Sequence, residues 1–123
     1  MSLKLTILGC NSAIPTKKRF TTSQILSAAK KNYLIDCGEG MQIRLNEFKI
    51  KKSRIDQVFI SHLHGDHFFG LPGFLTSLNL SGRTKELSIF GPAGLKKFIK
   101  TLQDIGSLYQ EFPLKIIELD HKI

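Results

Sequence analysis

Leu3, Leu5 and Ile7 alternate with Lys4 and Thr6, so the chain opens on a half-buried strand over residues 3–8. Gly9-Cys10-Asn11-Ser12 breaks that strand, and residues 13–22 read as a loop containing Pro15. Residues 23–28 and 32–36 form two further strands joined by Ala29-Lys30-Lys31, a hairpin-like pair. Beyond the flexible Cys37-Gly38-Glu39-Gly40, Met41, Leu45 and Phe48 recur at helical spacing. The apolar run Val58-Phe59-Ile60 predicts a buried strand. Leu71, Phe74, Leu75 and Leu78 mark an amphipathic helix with Pro72 in its first turn and Gly82 at its close. A strand over 87–90 follows, then a helix started by Pro92 with Leu95, Phe98, Ile99 and Leu102 inward, and a last strand over 114–119. Strands alternating with helices predict an α/β layer structure. With no repeat, low-complexity stretch or linker, residues 1–123 are expected to have no internal domain boundary.

The chemistry concentrates where the central strand ends. Ser61, His62, Leu63, His64, Gly65, Asp66 and His67 put three of the chain's four histidines within six residues, as His-x-His-x-Asp-His. Neutral imidazoles and a carboxylate suit a borderline divalent ion such as zinc. In an extended segment residues two apart point the same way, so His62 and His64 can converge on one ion. Gly65 lets the chain turn, after which Asp66 and His67 present ligands from another direction, suited to a second ion beside the first. A continuous helix would scatter residues 62, 64 and 67, which predicts a loop.

Composition narrows the classes. At 123 residues, 41% of them hydrophobic, the chain amounts to one globular domain or less. No apolar run approaches the roughly 18 residues of a membrane span, and MSLKLTILGC lacks the features of a signal peptide, so a cytoplasmic location is expected. Cys10 and Cys37 form no paired motif and read as reduced, buried thiols. The net charge of +8 is uneven: residues 1–60 hold 11 lysines and arginines against 4 acids, and residues 61–123 hold 7 against 6. A basic half favours a polyanionic partner. The run Lys49, Lys51, Lys52 and Arg54 reads first as a solvated connection, with RNA contact as the alternative.

HLHGDH followed by FFGLPG resembles the metal-binding signature of the metallo-β-lactamase superfamily. Together with LGCNSAIPTKKR (residues 8–19) and YLIDCGEGMQ (residues 33–42), in the same order and spacing, it resembles more narrowly ribonuclease Z, the endonuclease that trims the 3′ end of precursor tRNA. The resemblance implies a four-layer αββα sandwich, of which this chain supplies roughly the N-terminal half, since family chains are well over twice as long. It implies two zinc ions, with His62, His64, Asp66 and His67 as ligands and the remaining ligands in the later half. Asp66 would also assist proton transfer, and Asp36 would support a ligand histidine. Ribonuclease Z enzymes carry a Pro-x-Lys-x-Arg loop matched here by Pro15, Lys17 and Arg19, with Phe20 where an Asn often follows. Two cations on such a loop suit phosphates, Arg19 bidentately and Lys17 as a point charge. His121 reads as a surface residue.

The expected function is therefore a di-zinc endoribonuclease acting on precursor tRNA, inactive as this fragment. Another hydrolase of the same fold acting on a small phosphodiester, or a non-catalytic metal- or RNA-binding fragment, are the alternatives. Half a sandwich leaves apolar sheet uncovered, which predicts a homodimer, by element exchange if strands are traded.

Overall fold

Six strands line up as one sheet in the computed structural model, which describes residues 2–10 and 20–119. They are β1 (Leu3–Gly9), β2 (Ser23–Ala28), β3 (Lys31–Cys37), β4 (Ile55–Phe59), β5 (Leu87–Gly91) and β6 (Leu114–Glu118), side by side in the order of the sequence. β1, β2 and β3 pair antiparallel, and β3 to β6 run parallel. The β2–β3 hairpin turns through Ala29 and Lys30 at φ 50° and 67°, the two left-handed positions that Asn-Gly usually fills. Parallel neighbours need crossovers. These are supplied by α1 (Met41–Glu47), by α2 (Gly65–Phe68) with α3 (Leu71–Leu80), and by α4 (Leu95–Asp104).

The helices cover one face of the sheet. Ile25, Leu34, Val58 and Ile89 are register partners in a row across four strands. All four are fully buried in one cluster with Met41, Leu45, Leu71, Phe74, Leu75, Leu78, Leu95 and Ile99 from the helices. The next row in register, Ile7, Gln24, Ile35, Phe59, Phe90 and Ile117, points to the other face. There Phe59 and Phe90 stack at 4.8 Å between centroids and remain only half-buried. Leu3, Leu5 and Ile7 lie on this open face, 70%, 55% and 52% exposed. Residues 3–8, read as a half-buried strand, alternate as expected, but nothing among the described residues covers the side of Leu3, Leu5 and Ile7, and Leu8 enters the core.

Three further boundaries differ from the sequence reading. α1 stops at Glu47, leaving Phe48 as its cap, 44% exposed beneath the Arg44 guanidinium. The central strand starts earlier, at Ile55. α4 begins at Leu95 rather than Pro92, because Gly94 adopts φ 104° and the chain turns before winding. Its first amides are met from far away: the Glu118 carboxylate accepts from Gly94 N–H (2.7 Å) and Lys96 N–H (3.2 Å). Glu118→Ala leaves those donors to water, and a stability loss of about 1 kcal/mol is expected as a lowered urea midpoint with an unchanged slope. No loss would mean that α4 needs no anion at this end.

At the other end of the parallel strands, the buried Arg83 guanidinium donates to Asp56 (2.7 Å) and to the carbonyls of Lys85 and Glu86. Partial burial of Asp56 works to raise its pKa, but the hydrogen bonds and charges of Arg83 and Lys85 outweigh that and hold it below the usual carboxylate value.

Candidate metal centre

The site begins with an irregularity in β3. Gln24 pairs with Ile35 and Ser23 with Cys37, so Asp36 is the extra residue of a β-bulge. It sits at φ 60°, a left-handed conformation that aspartate tolerates better than most residues. Its carbonyl accepts from Ser23 Oγ (2.9 Å), which pins the bulge, and the residue as a whole is buried at 4% exposure. The bulge re-aims the carboxylate across the sheet end. Oδ1 accepts the Ser61 N–H at 2.7 Å, while Oδ2 lies 2.8 Å from His67 Nδ1.

Ile60 still donates to Phe90 O at 2.7 Å, so the segment leaving β4 stays tied to the sheet as it enters the histidine stretch. Residues 61–64 are non-helical, and α2 follows as a single turn closed by His67 N–H to His64 O (2.9 Å). The prediction that all three histidines lie on a loop is corrected in part: His62 and His64 do, whereas His67 rides the helical turn that Gly65 starts. Gly70 ends this turn, donating to Cys37 O at 2.8 Å. A Cβ there would collide with the Gly38 carbonyl. The FFGLPG segment is therefore clamped against the end of β3 by backbone contact that only glycine permits.

The three rings gather at this corner. The His62 centroid is 5.9 Å from that of His64 and 4.9 Å from that of His67. A cavity of about 410 Å³ opens beside them, lined by Ser61, His62, Leu63, His64, Pro92 and Ala93. Asp66 belongs to the same turn by its backbone, its side chain lying outside the description. The donor chemistry fits a divalent ion: imidazoles with one ring fixed by a buried carboxylate are a usual ligand arrangement. The fit is that of a partial set, since among the described residues no group of three or more His, Cys, Asp or Glu closes on a point.

Cys37, beside Asp36, is fully buried, and that burial, with the neighbouring Asp36 charge, pushes its thiol well above the ordinary value. It stays protonated and is a poor ligand. Cys10 is exposed, not buried as expected. Lys17, Arg19 and His121 lie outside the described residues. Lys49, Lys51 and Lys52 line a groove of about 650 Å³ at the beginning of β4, the opposite end of that strand from the histidines and roughly 17 Å away by strand length. Ser61 is the residue that sequence reasoning passed over. Its Oγ lies 3.0 Å from His62 Nδ1, 3.2 Å from His67 Nδ1 and 2.7 Å from Asp36 Oδ2, and its only signal was a hydroxyl residue immediately before His62.

Known proteins share this fold. Human tRNase Z, short form, superposes with TM-score 0.84 at 38% identity, covering 93% of this chain and 43% of that one. The Bacillus subtilis metallo-β-lactamase fold protein YhfI superposes with TM-score 0.78 at 22% identity, covering 98% of this chain and 46% of that one. A curated relative, ribonuclease Z of Parabacteroides distasonis, is 48% identical over 101 residues, 82% of this chain and 33% of its own length. A family model described as Anti-Pycsar protein Apyc1 matches residues 3–111. The sheet, its helical layer and the histidine corner are thus part of a metallo-β-lactamase fold. Within that superfamily the chain belongs to the family of the Anti-Pycsar protein Apyc1 model, and it is similar to ribonuclease Z over part of that enzyme's length. It spans about a third of the length of the Parabacteroides relative.

Proposed function

We propose that this chain carries the first half of the centre of a metal-dependent endoribonuclease that trims the 3′ end of precursor tRNA. The observation that carries the reading is the meeting of Asp36, His62, His64 and His67 at one sheet end, in a sequence 48% identical to a ribonuclease Z. His62 and His64 would hold one zinc ion, Asp66 and His67 a second. Bound there, the ions supply a Lewis acid and an activated water for phosphodiester hydrolysis. Asp36 holds the His67 ring in place, Asp66 moves a proton, and the cavity beside His62 admits the scissile strand. Lys17 and Arg19 grip phosphates of the substrate. Residues 1–123 form one half-domain without an internal boundary, working in the cytoplasm. Among the described residues no helix is long and apolar enough to cross a membrane.

Four side-chain ligands for two ions leave each with two, fewer than the three of a usual catalytic zinc. The 123-residue chain alone is therefore expected not to cleave precursor tRNA. A chimera completed with the remainder of the Parabacteroides distasonis enzyme is expected to cleave it in a chelator-sensitive way. His64→Ala in that chimera should take cleavage below detection. Removing Lys17 and Arg19 should instead raise KM and leave metal content unchanged. Full activity of the His64→Ala chimera would sink the site assignment.

A second reading is another hydrolase of the same fold acting on a small phosphodiester; the family description, Anti-Pycsar protein Apyc1, does not name a ribonuclease. A chimera that cleaves small diesters and leaves precursor tRNA intact would establish it.

The open sheet face supports a homodimer in which a second copy covers Leu3, Leu5, Ile7, Phe59 and Phe90. Sedimentation at micromolar concentration is expected to find dimers that Ile7→Lys dissociates. A parent chain that sediments as a monomer would remove the proposal.

A further inference from the structure

Ser61 brings one hydroxyl proton to a place with four polar atoms in reach. Its Oγ is 2.7 and 3.0 Å from the two Asp36 oxygens, 3.0 Å from His62 Nδ1 and 3.2 Å from His67 Nδ1. A carboxylate only accepts, Asp36 Oδ2 is the nearest of the four, and the Ser61 N–H already binds Oδ1 at 2.7 Å. The hydroxyl proton therefore belongs to Asp36. Oγ is then left as an acceptor, and a ring nitrogen 3.0 Å away has to bring its own hydrogen or meet it lone pair to lone pair.

We propose that Ser61 is a positioning residue that relays Asp36 to His62, through His62 Nδ1–H to Ser61 Oγ and Ser61 O–H to Asp36 Oδ2. The relay fixes the His62 proton on Nδ1 and leaves the Nε2 lone pair as the free donor of that ring. His67 reaches the same state directly, its Nδ1–H donating to Asp36 Oδ2 at 2.8 Å. One buried carboxylate thereby sets the tautomers of two histidines, one by contact and one through a serine. No hydrogen bond to the His64 ring is found among the described residues, so the relay leaves its tautomer unset. The consequence for ligand strength rests on the metal reading above, while the tautomer itself does not.

The test is long-range proton–nitrogen correlation of the metal-free, ¹⁵N-labelled chain at mildly alkaline pH. His62 and His67 are expected as Nδ1–H tautomers. In Ser61→Ala, His62 should lose that tautomer while His67 keeps it, and Ser61→Thr, which retains the hydroxyl, should restore it. A purely structural serine would move both rings together or neither. An Nε2–H tautomer for His62 in the parent overturns the proposal, as does an unchanged His62 in Ser61→Ala. If the alanine variant fails to fold, the parent and Ser61→Thr spectra still decide, because both require Nδ1–H on His62. A Co²⁺ titration separates the two readings. Ser61→Ala should weaken Co²⁺ binding about 10- to 100-fold. The expected tautomers with no Co²⁺ bound by the parent would uphold the relay and sink the metal assignment.

Discussion

Asp36→Ala is expected to cost roughly 3–5 kcal/mol of folding stability, read as a fall in urea midpoint. The carboxylate receives the Ser61 amide and hydroxyl and the His67 ring from within a site only 4% exposed. Deleting it strands donors that water reaches poorly, and a buried donor without a partner costs about 1–3 kcal/mol. Alanine also fits φ 60° poorly, adding about 1–2 kcal/mol. Asp36→Asn separates the contributions: asparagine accepts the left-handed backbone, but its amide hydrogens face other donors. Its cost should fall between those of the parent and the alanine variant. An alanine variant within about 1 kcal/mol of the parent would show that the bulge is held by backbone pairing and Ser23 alone.

Gly70→Ala is expected to be comparably damaging for a different reason. The added methyl would meet the Gly38 carbonyl, a backbone atom that cannot swing aside as a side chain tip does. Overpacking of this kind costs typically 1–3 kcal/mol and more where backbone must move. Here relief requires parting Gly70 from Cys37 O, which anchors the join of α2 and α3 to β3. The His67 ring should lose its contact with Asp36 in the same step. The expected readouts are a lower urea midpoint and faster amide exchange at residues 65–71. Gly73→Ala, where a Cβ would touch only the Gln42 side chain at 3.8 Å, is the matched control and should be near neutral. Equal effects at the two glycines would remove the clamp from the account.

Much of the fold was legible because its signals are local. Period-two alternation marked β1, the apolar run Val58-Phe59-Ile60 marked the central strand, and the helical recurrence of Leu71, Phe74, Leu75 and Leu78 marked α3, all four of them buried. The histidine cluster was legible for the same reason: six consecutive positions carry it. What escaped depends on partners far away in sequence. Asp36 was assigned a supporting role by resemblance, yet the bulge that aims it arises from a register slip against Ser23 and Gln24. Ser61 matters because that carboxylate arrives from 25 residues earlier. The start of α4 is set by Gly94 and by Glu118, which lies 24 residues beyond it. The direction in which Leu3, Leu5 and Ile7 face was hidden too. Alternation says that two faces differ, and only the placement of helices says which is covered.

The strand order has a kinetic consequence. Each strand lies beside its immediate predecessor, from β1 through β6, so no strand waits for a later one to fill a gap between earlier neighbours. A chain emerging from the ribosome can extend its sheet at one growing edge, closing at each addition only the connection to the strand just before it. The hairpin of β2 and β3 forms fastest, on the microsecond scale of such units. It then serves as the template on which each parallel strand is laid as soon as its crossover has left the exit tunnel.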